Sequence, residues 1–167
     1  VGEAATLESD HARVRVPPPL VYAAGFGLGL GLHHLAPGDA LPASLRPVGI
    51  GLGVVGVAAA LALCASALAT FRRAGTSPVP VRPAAVLVDA GPYRFTRNPM
   101  YVGLGFAYLG LGLIFDRAWT LLLLPAVIGV IRYHVIAREE RYLQSRFGPA
   151  YDAYRRRIPR WLGLPRA

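Results

Sequence analysis

Residues Val48 to Phe71 (VGIGLGVVGVAAALALCASALATF) run for 24 positions without a charge. A bilayer core of about 30 Å is crossed by about 20 helical residues at 1.5 Å rise. This run is long enough to span, and three shorter apolar runs accompany it. Leu20 to Leu35 is bounded by Pro17–Pro19 before it and Ala36–Gly38 after it. Pro99 to Phe115 and Ala118 to Ile131 are separated only by Asp116 and Arg117, which reads as a tight helical hairpin. Arg132 to Phe147 favours helix, so the fourth helix is expected to continue past the apolar run. The expected fold class is all-α: a polytopic membrane helix bundle of about four transmembrane helices, with a helical hairpin and a cytoplasmic C-terminal helical extension. It forms a single membrane domain over 1–167, with a tail at 1–17, two packing helices at 18–71 and the remainder at 72–167.

Composition supports this reading. Of the 167 residues 54% are hydrophobic and 16% charged, against about a quarter charged in soluble domains. All 18 basic residues are Arg, opposed by nine acids. Disordered chains, disulfide scaffolds and ordinary water-soluble enzymes do not have this balance, and the lone Cys64 has no cysteine to pair with. The net charge of +9 is no nucleic-acid signal, because no basic stripe interleaved with aromatics runs through a polar domain. Sixteen Arg fall in the tail, in 72–98 and from Arg132 onward, and only Arg46 and Arg117 fall in the two opposite loops. By the positive-inside rule both termini are expected in the cytoplasm, with the chain integral to the membrane, the cell inner membrane if it is bacterial. A signal peptide fits poorly, since 19 mostly polar or Pro residues precede the first apolar run and HHLAPGD follows it.

Gly51, Gly53 and Gly56 match the spacing of a dinucleotide-binding fingerprint. They lie inside an uncharged helix with no preceding strand, so the required context is missing. Gly25/Gly29, Gly27/Gly31 and Gly49/Gly53 have the small-xxx-small spacing that lets helices approach closely in lipid. The histidines His33 and His34 fall at the opposite end of the bundle from His134, about a bilayer apart, so no shared metal is expected.

Chemistry is expected on the cytoplasmic side. Thr76 to Pro83 is a Pro-rich connector, and Ala90-Gly91-Pro92 is a turn signal. Asn98-Pro99 opens the third helix. Two readings of this stretch stand side by side. One is a loop and a capped helix. The other is a helix N-terminus that, with Arg94, Arg97, Tyr93 and Tyr101, holds an anionic ligand at the membrane surface. In the next helix, helical spacing puts Arg132, Val135 and Glu139 roughly along one face. Glu139 and Glu140 either form part of an ion-paired, solvated helix or hold an ammonium or hydroxyl group close to the apolar core. After Gly148-Pro149 a short helix carries Tyr151 and Tyr154 on one side and Arg155–Arg157 on the other. With Trp161 it is expected to lie on the lipid headgroups.

Together the two clusters resemble the integral-membrane methyltransferases of the isoprenylcysteine carboxyl methyltransferase and phospholipid methyltransferase group. The matching residues are Leu87-Val88, Gly91 to Arg94, Arg97 to Tyr101, Gly103, Glu139-Glu140, Leu143, Phe147-Gly148, Tyr151, Tyr154, Arg157, Pro159 and Arg160. The resemblance covers about Pro78 to Trp161. It implies an S-adenosyl-L-methionine-dependent methyltransferase that leaves S-adenosylhomocysteine as product, with 72–167 as the cofactor-binding core. The methyl acceptor would be a lipophilic or small molecule reached from the bilayer. The partners implied are membrane lipid and this acceptor, with neither nucleic acid nor an obligate protein partner. The cofactor-binding residues it implies are Ala85, Val86, Leu87, Val88, Tyr93, Asn98, Pro99, Met100, Tyr101 and Glu139.

Arg97, Asn98 and Glu140 are the candidate catalytic residues. Arg132 and Arg138 are the substrate candidates, and no metal is implied. Many relatives have His where this chain has Asn98, and Asn cannot act as a titrating base. An Arg associated with a substrate carboxylate in the prenyl-cysteine enzymes falls near Val135, which weakens a prenyl-cysteine substrate here. Two other readings are a sterol-type membrane reductase using NADPH, set apart by which cofactor binds, and a non-catalytic membrane adaptor, which binds neither.

Overall fold

A computed structural model describes residues 16–76 and 86–166. Residues 1–15, 77–85 and 167, among them the rest of the Pro-rich connector and Ala85, lie outside the described residues. Among the described residues the chain is helical, with no strand. The helices are α1 (Pro18–Leu35), α2 (Arg46–Arg73), α3 (Pro99–Phe115), α4 (Ala118–Val130), α5 (Ala137–Phe147) and α6 (Pro149–Arg157). A π-helical segment, Ile131–Ile136, joins α4 to α5 without a break.

Two uninterrupted helices are long and apolar enough to cross a membrane, Ala43–Arg73 at 31 residues and Ala118–Phe147 at 30. The other two expected spans form helices but fall short of that measure. α3 is apolar but has 17 residues, and the 18 residues of α1 include two Pro, four Gly and two His.

The chain divides into two compact units. One comprises 16–64 and 100–131. Its pattern of burial is inverted relative to a water-soluble bundle. Along the part of α2 in this unit, up to Cys64, the buried positions are Gly49, Gly53 and Ala60, while Leu52, Val55 and Leu61 stand 60–68% exposed. Large apolar side chains facing outward over small residues facing inward is the arrangement that lipid, not water, favours.

The small residues bring backbones together. A Cβ on Gly29 would lie 2.7 Å from Thr120 Cα on α4, and one on Gly53 would lie 2.6 Å from the Gly110 carbonyl on α3. Gly25 instead meets a methyl of the Val127 side chain, whereas the Gly27/Gly31 pair has no neighbour within 4 Å of its Cβ positions and takes no part in this packing. Tyr22, Phe26, Phe115 and Tyr108 pack edge to face, and the Tyr22 hydroxyl donates to the Tyr101 carbonyl at 2.9 Å. The α3–α4 turn is as tight as the two-residue break suggested. Asp116 there has φ +52° and is buried. One of its oxygens accepts from the amides of Ala40 and Leu41, at 3.0 and 2.9 Å, and the other pairs with Arg46 at 2.8 Å.

The other unit comprises, of the described residues, 65–76, 86–99 and 132–166. Its core is Tyr151, Tyr154 and Ile158, packed by Leu87, Leu143 and Phe147. Sequence reading assigned the tyrosine face of α6 to the headgroups. It is instead protein interior, because the positive φ of Gly148 (+50°) turns α6 away from the line of α5 and the two helices pack together. The shared face of Arg132, Val135 and Glu139 is corrected as well. Within the π segment backbone bonds reach one residue further than in an α-helix, which rotates the register. Arg132 is exposed, whereas Val135 and Ile136 are buried.

Candidate functional site

The residues that the sequence placed in two separate motifs meet in the second unit. Thr96 to Asn98 run directly into α3, and Glu140 stands on the first turn of α5. The Arg97 guanidinium lies 2.9 Å from Glu140 Oε1 and donates to the Tyr151 hydroxyl at 3.2 Å. Arg160 grips the same carboxylate with two donors, Nε to Oε1 at 2.9 Å and an NH2 nitrogen to Oε2 at 2.6 Å. This is the fork geometry in which Arg–carboxylate pairs are strongest. Both partners of the first pair are withdrawn from water, with side chains 9% exposed for Arg97 and 14% for Glu140, whereas Arg160 is 31% exposed.

The main chain around Arg160 completes the join. Its carbonyl accepts from Thr96 Oγ1 and from Asn98 Nδ2, both at 3.0 Å. Thr96 Oγ1 in turn accepts the Asn98 amide at 3.1 Å. The Arg97 amide donates to the Pro159 carbonyl at 3.0 Å, and the Gly163 amide to Phe95 at 3.1 Å. The segment after α6 is therefore laced to the segment before α3, which fixes the direction of the Asn98 side chain. Tyr93 is held from the other side, since the Tyr154 hydroxyl donates to its carbonyl at 2.8 Å and its ring meets Phe71 edge-on.

Other expected site residues are placed differently. Leu87 and Val88 are half-buried and buried, Val86 is exposed, and Pro99 is fully buried. Met100 and Tyr101 begin α3, and Ala85 lies outside the described residues. Glu139 is half-buried and has an interaction partner of its own. Arg132 is exposed, with its guanidinium 5.3 Å from the centre of the Tyr133 ring, and Arg138 is half-buried. Glu140 takes Arg97 and Arg160 as its ion-pair partners. Sequence reading gave no role to Arg160, Thr96 or Tyr151. The signal for Arg160 and Tyr151 was present in the motif residues that both match, but nothing local in Thr96 distinguishes it from other polar residues.

Electrostatics follow from this packing. Burial pushes the hydroxyls of Tyr151 and Tyr154 above the ordinary phenol range. Glu140 adds to the effect at Tyr151, and Arg97 opposes it. The hydrogen bond to Glu140 holds the Arg160 guanidinium above its usual value. A tyrosine raised in the folded state stays protonated where the unfolded chain ionises, above about pH 10. Stability is therefore fully present below that value and falls as pH rises beyond it. Tyr154→Phe is expected to flatten this alkaline decline, read as the unfolding midpoint against pH. An unchanged slope would assign the decline to other groups.

One donor in the cluster is unmet. Arg97 Nε is buried without a partner, a costly state for a charged group unless a ligand supplies an acceptor. The residues present thus fit a ligand carrying an acidic group.

Residues 48–150 match the phospholipid methyltransferase family. The chain belongs to that family. Among its relatives, the Protein-S-isoprenylcysteine O-methyltransferase of Schizosaccharomyces pombe is 35% identical over 80 residues, covering 48% of this chain and 33% of that protein. The nickel-cobalt-cadmium resistance protein NccN of Alcaligenes xylosoxydans xylosoxydans is 37% identical over 73 residues, 44% of this chain and 34% of its own. The chain thus spans about a third of the length of these two relatives. An uncharacterized Haemophilus influenzae protein is 44% identical over 63 residues, which is 98% of its length. No solved structure matches the chain. Membership places the chain among relatives described as phospholipid methyltransferases, and its two long apolar helices are of a length and composition that can cross a membrane.

Proposed function

We propose that the protein is an S-adenosyl-L-methionine-dependent methyltransferase that modifies a lipophilic or small acceptor at the cytoplasmic face of the membrane. In this reading all four apolar helices cross the bilayer, and both termini lie with the sixteen Arg on the inner side. The observation that carries it is the meeting of the two family motifs, Arg97-Asn98 against Glu140 and Arg160, around a buried and unmet guanidinium nitrogen.

When bound, the cofactor supplies an activated methyl group and its own leaving group. The chain's part is then to hold donor and acceptor in line and to exclude water. Arg97, held by Glu140, would take the carboxylate of the cofactor, and Glu139 its ammonium. Leu87, Val88 and Tyr93 would pack the adenine, with Ala85, Val86, Pro99, Met100 and Tyr101 completing the site. Asn98 orients the reacting groups by hydrogen bonding. Glu140 acts by keeping Arg97 in place. Arg132 and Arg138 face the acceptor.

S-adenosylhomocysteine is expected to raise the unfolding temperature of the purified protein in detergent, while NADPH does not. Replacing Glu139 by Gln removes one charge-assisted hydrogen bond and is expected to weaken that binding roughly ten- to a hundred-fold. Calorimetry showing wild-type affinity in the variant would take Glu139 out of the site. Stabilisation of the wild type by NADPH alone would replace the methyltransferase reading.

A further inference from the structure

A polar recess lies in the same unit as the Arg97–Glu140 cluster and is lined by none of that cluster's residues. It is a cleft of about 490 Å³ bordered by Asp89, Gly91, Arg94, Arg157, Ile158 and Pro165. Its charges do not cancel. Arg157 lies 3.3 Å from Asp89 with both side chains more than half exposed, a weak pairing. Arg94 is exposed and, among the described residues, has no ion-pair partner. One positive charge is therefore left over.

The walls are built, not incidental. Gly91 has φ +58°, and a Cβ there would stand 2.5 Å from Thr70 Oγ1, so the backbone is pressed against α2. The Arg166 amide donates to the Arg157 carbonyl at 2.8 Å and thereby fixes the Pro165 wall, and Ile158 is anchored in the core. Thr70, against which Gly91 stands, lies in the last turn of α2, which ends at Arg72-Arg73 after a long apolar run. Gly91 lines the cleft, so the cleft stands beside the end of an apolar helix, where the headgroups of a bilayer begin.

We propose that this cleft seats the phosphate of an anionic phospholipid, with Arg94 and Arg157 as its ligands, as a site separate from methyl transfer. Two guanidinium forks match the oxygens of a phosphodiester in a way that water-exposed Asp89 does not. The surplus positive charge selects a lipid with net negative charge over a zwitterionic one. Asp89 competes with the phosphate for Arg157, so the carboxylate sets the affinity from below.

The test is native mass spectrometry of the full chain in detergent, titrated with phosphatidylglycerol, or with phosphatidylcholine of the same acyl chains. One phosphatidylglycerol is expected to be retained, and Arg94→Gln or Arg157→Gln is expected to lower its affinity by about five-fold or more, from about 1 kcal/mol per arginine at a membrane surface. Gln keeps most of the side-chain volume, so the unfolding midpoint is expected to hold. Asp89→Asn is expected to strengthen binding, an outcome that a merely structural Asp89–Arg157 pair does not produce. Arg156→Gln, on an exposed position of α6 outside the cleft, is expected to leave the affinity unchanged. Equal loss in Arg156→Gln would mean a diffuse basic surface and overturn the site. Equal retention of phosphatidylcholine would overturn the selectivity. Displacement of the lipid by millimolar glycerol phosphate, or Arg94-dependent binding of inorganic phosphate alone, would replace the lipid with a soluble phosphate compound.

Discussion

Replacing Glu140 by Ala is expected to destabilise the protein by about 3–5 kcal/mol, the range for removing one partner of a buried ion pair. The size follows from what is left behind. Arg160, 31% exposed, can turn toward water when the carboxylate is gone. Arg97 cannot, because its side chain is 9% exposed, its Nε is already without a partner, and its remaining contact is the Tyr151 hydroxyl. A buried guanidinium would then face a low-dielectric interior with one neutral acceptor. Glu140→Gln keeps the shape and one acceptor oxygen but not the charge, and is expected to fall between the two. The companion variant Glu140→Met with Arg97→Met removes both charges, and is expected to recover much of the loss in stability while abolishing cofactor binding. Unfolding midpoints in detergent read all of these. A Glu140→Ala protein as stable as the wild type would mean that the cluster is not load-sharing with the core of Tyr151, Tyr154 and Ile158. Arg160→Ala should destabilise less, by about 1.5–3 kcal/mol for lost hydrogen bonds to a charged group. The carbonyl that holds Thr96 and Asn98 is main chain and is kept in this variant.

The second large effect is expected in the other unit. Gly53 and Gly110 meet with their backbones in contact. A Cβ on either would stand 2.6 Å from the carbonyl oxygen of the other. Real Cβ atoms do not approach oxygen so closely, so α2 and α3 would have to separate along their length. Gly53→Ala is expected to cost about 1–3 kcal/mol, as for other overpacked cores, and Gly53→Val more. Gly51, two residues earlier, has open space around its Cβ position, so Gly51→Ala is the matched control. It is expected to be neutral or mildly stabilising, because Ala is the better helix former. Equal midpoints for Gly53→Ala and Gly51→Ala would show that the α2–α3 contact is looser than the backbone approach implies. The same comparison explains why small residues recur at four-residue spacing along these helices. In lipid, apolar side chains gain nothing by leaving their surroundings, so close backbone approach must supply the association energy.

Several elements were legible from sequence because their causes are local. The helix from Pro99 to Phe115 begins at the Asn98-Pro99 start signal and ends where Asp116 and Arg117 interrupt the apolar run. The break at Gly148-Pro149 separates α5 from α6 as expected. The family resemblance was also legible, since many fixed residues stand in two separated segments. What was missed depends on register or on partners far along the chain. One π turn decides that Val135 is buried and Arg132 exposed. Tyr151 and Tyr154 look like headgroup residues by composition, but their burial depends on where Leu87, Leu143 and Phe147 lie.

By itself the sequence determined the helical class, the affinity for a membrane and the identity of the two motif segments. Uncharged length, small-residue spacing and arginine placement act without reference to distant neighbours. Only the tertiary structure decided that Arg97 and Arg160 share Glu140, that the Arg160 carbonyl fixes Asn98, and that Arg94 and Arg157 face a cleft of their own. The reason is geometric. An ion pair or a hydrogen bond is settled within about 3 Å, and no pattern along the chain specifies a separation that short between residues tens of positions apart.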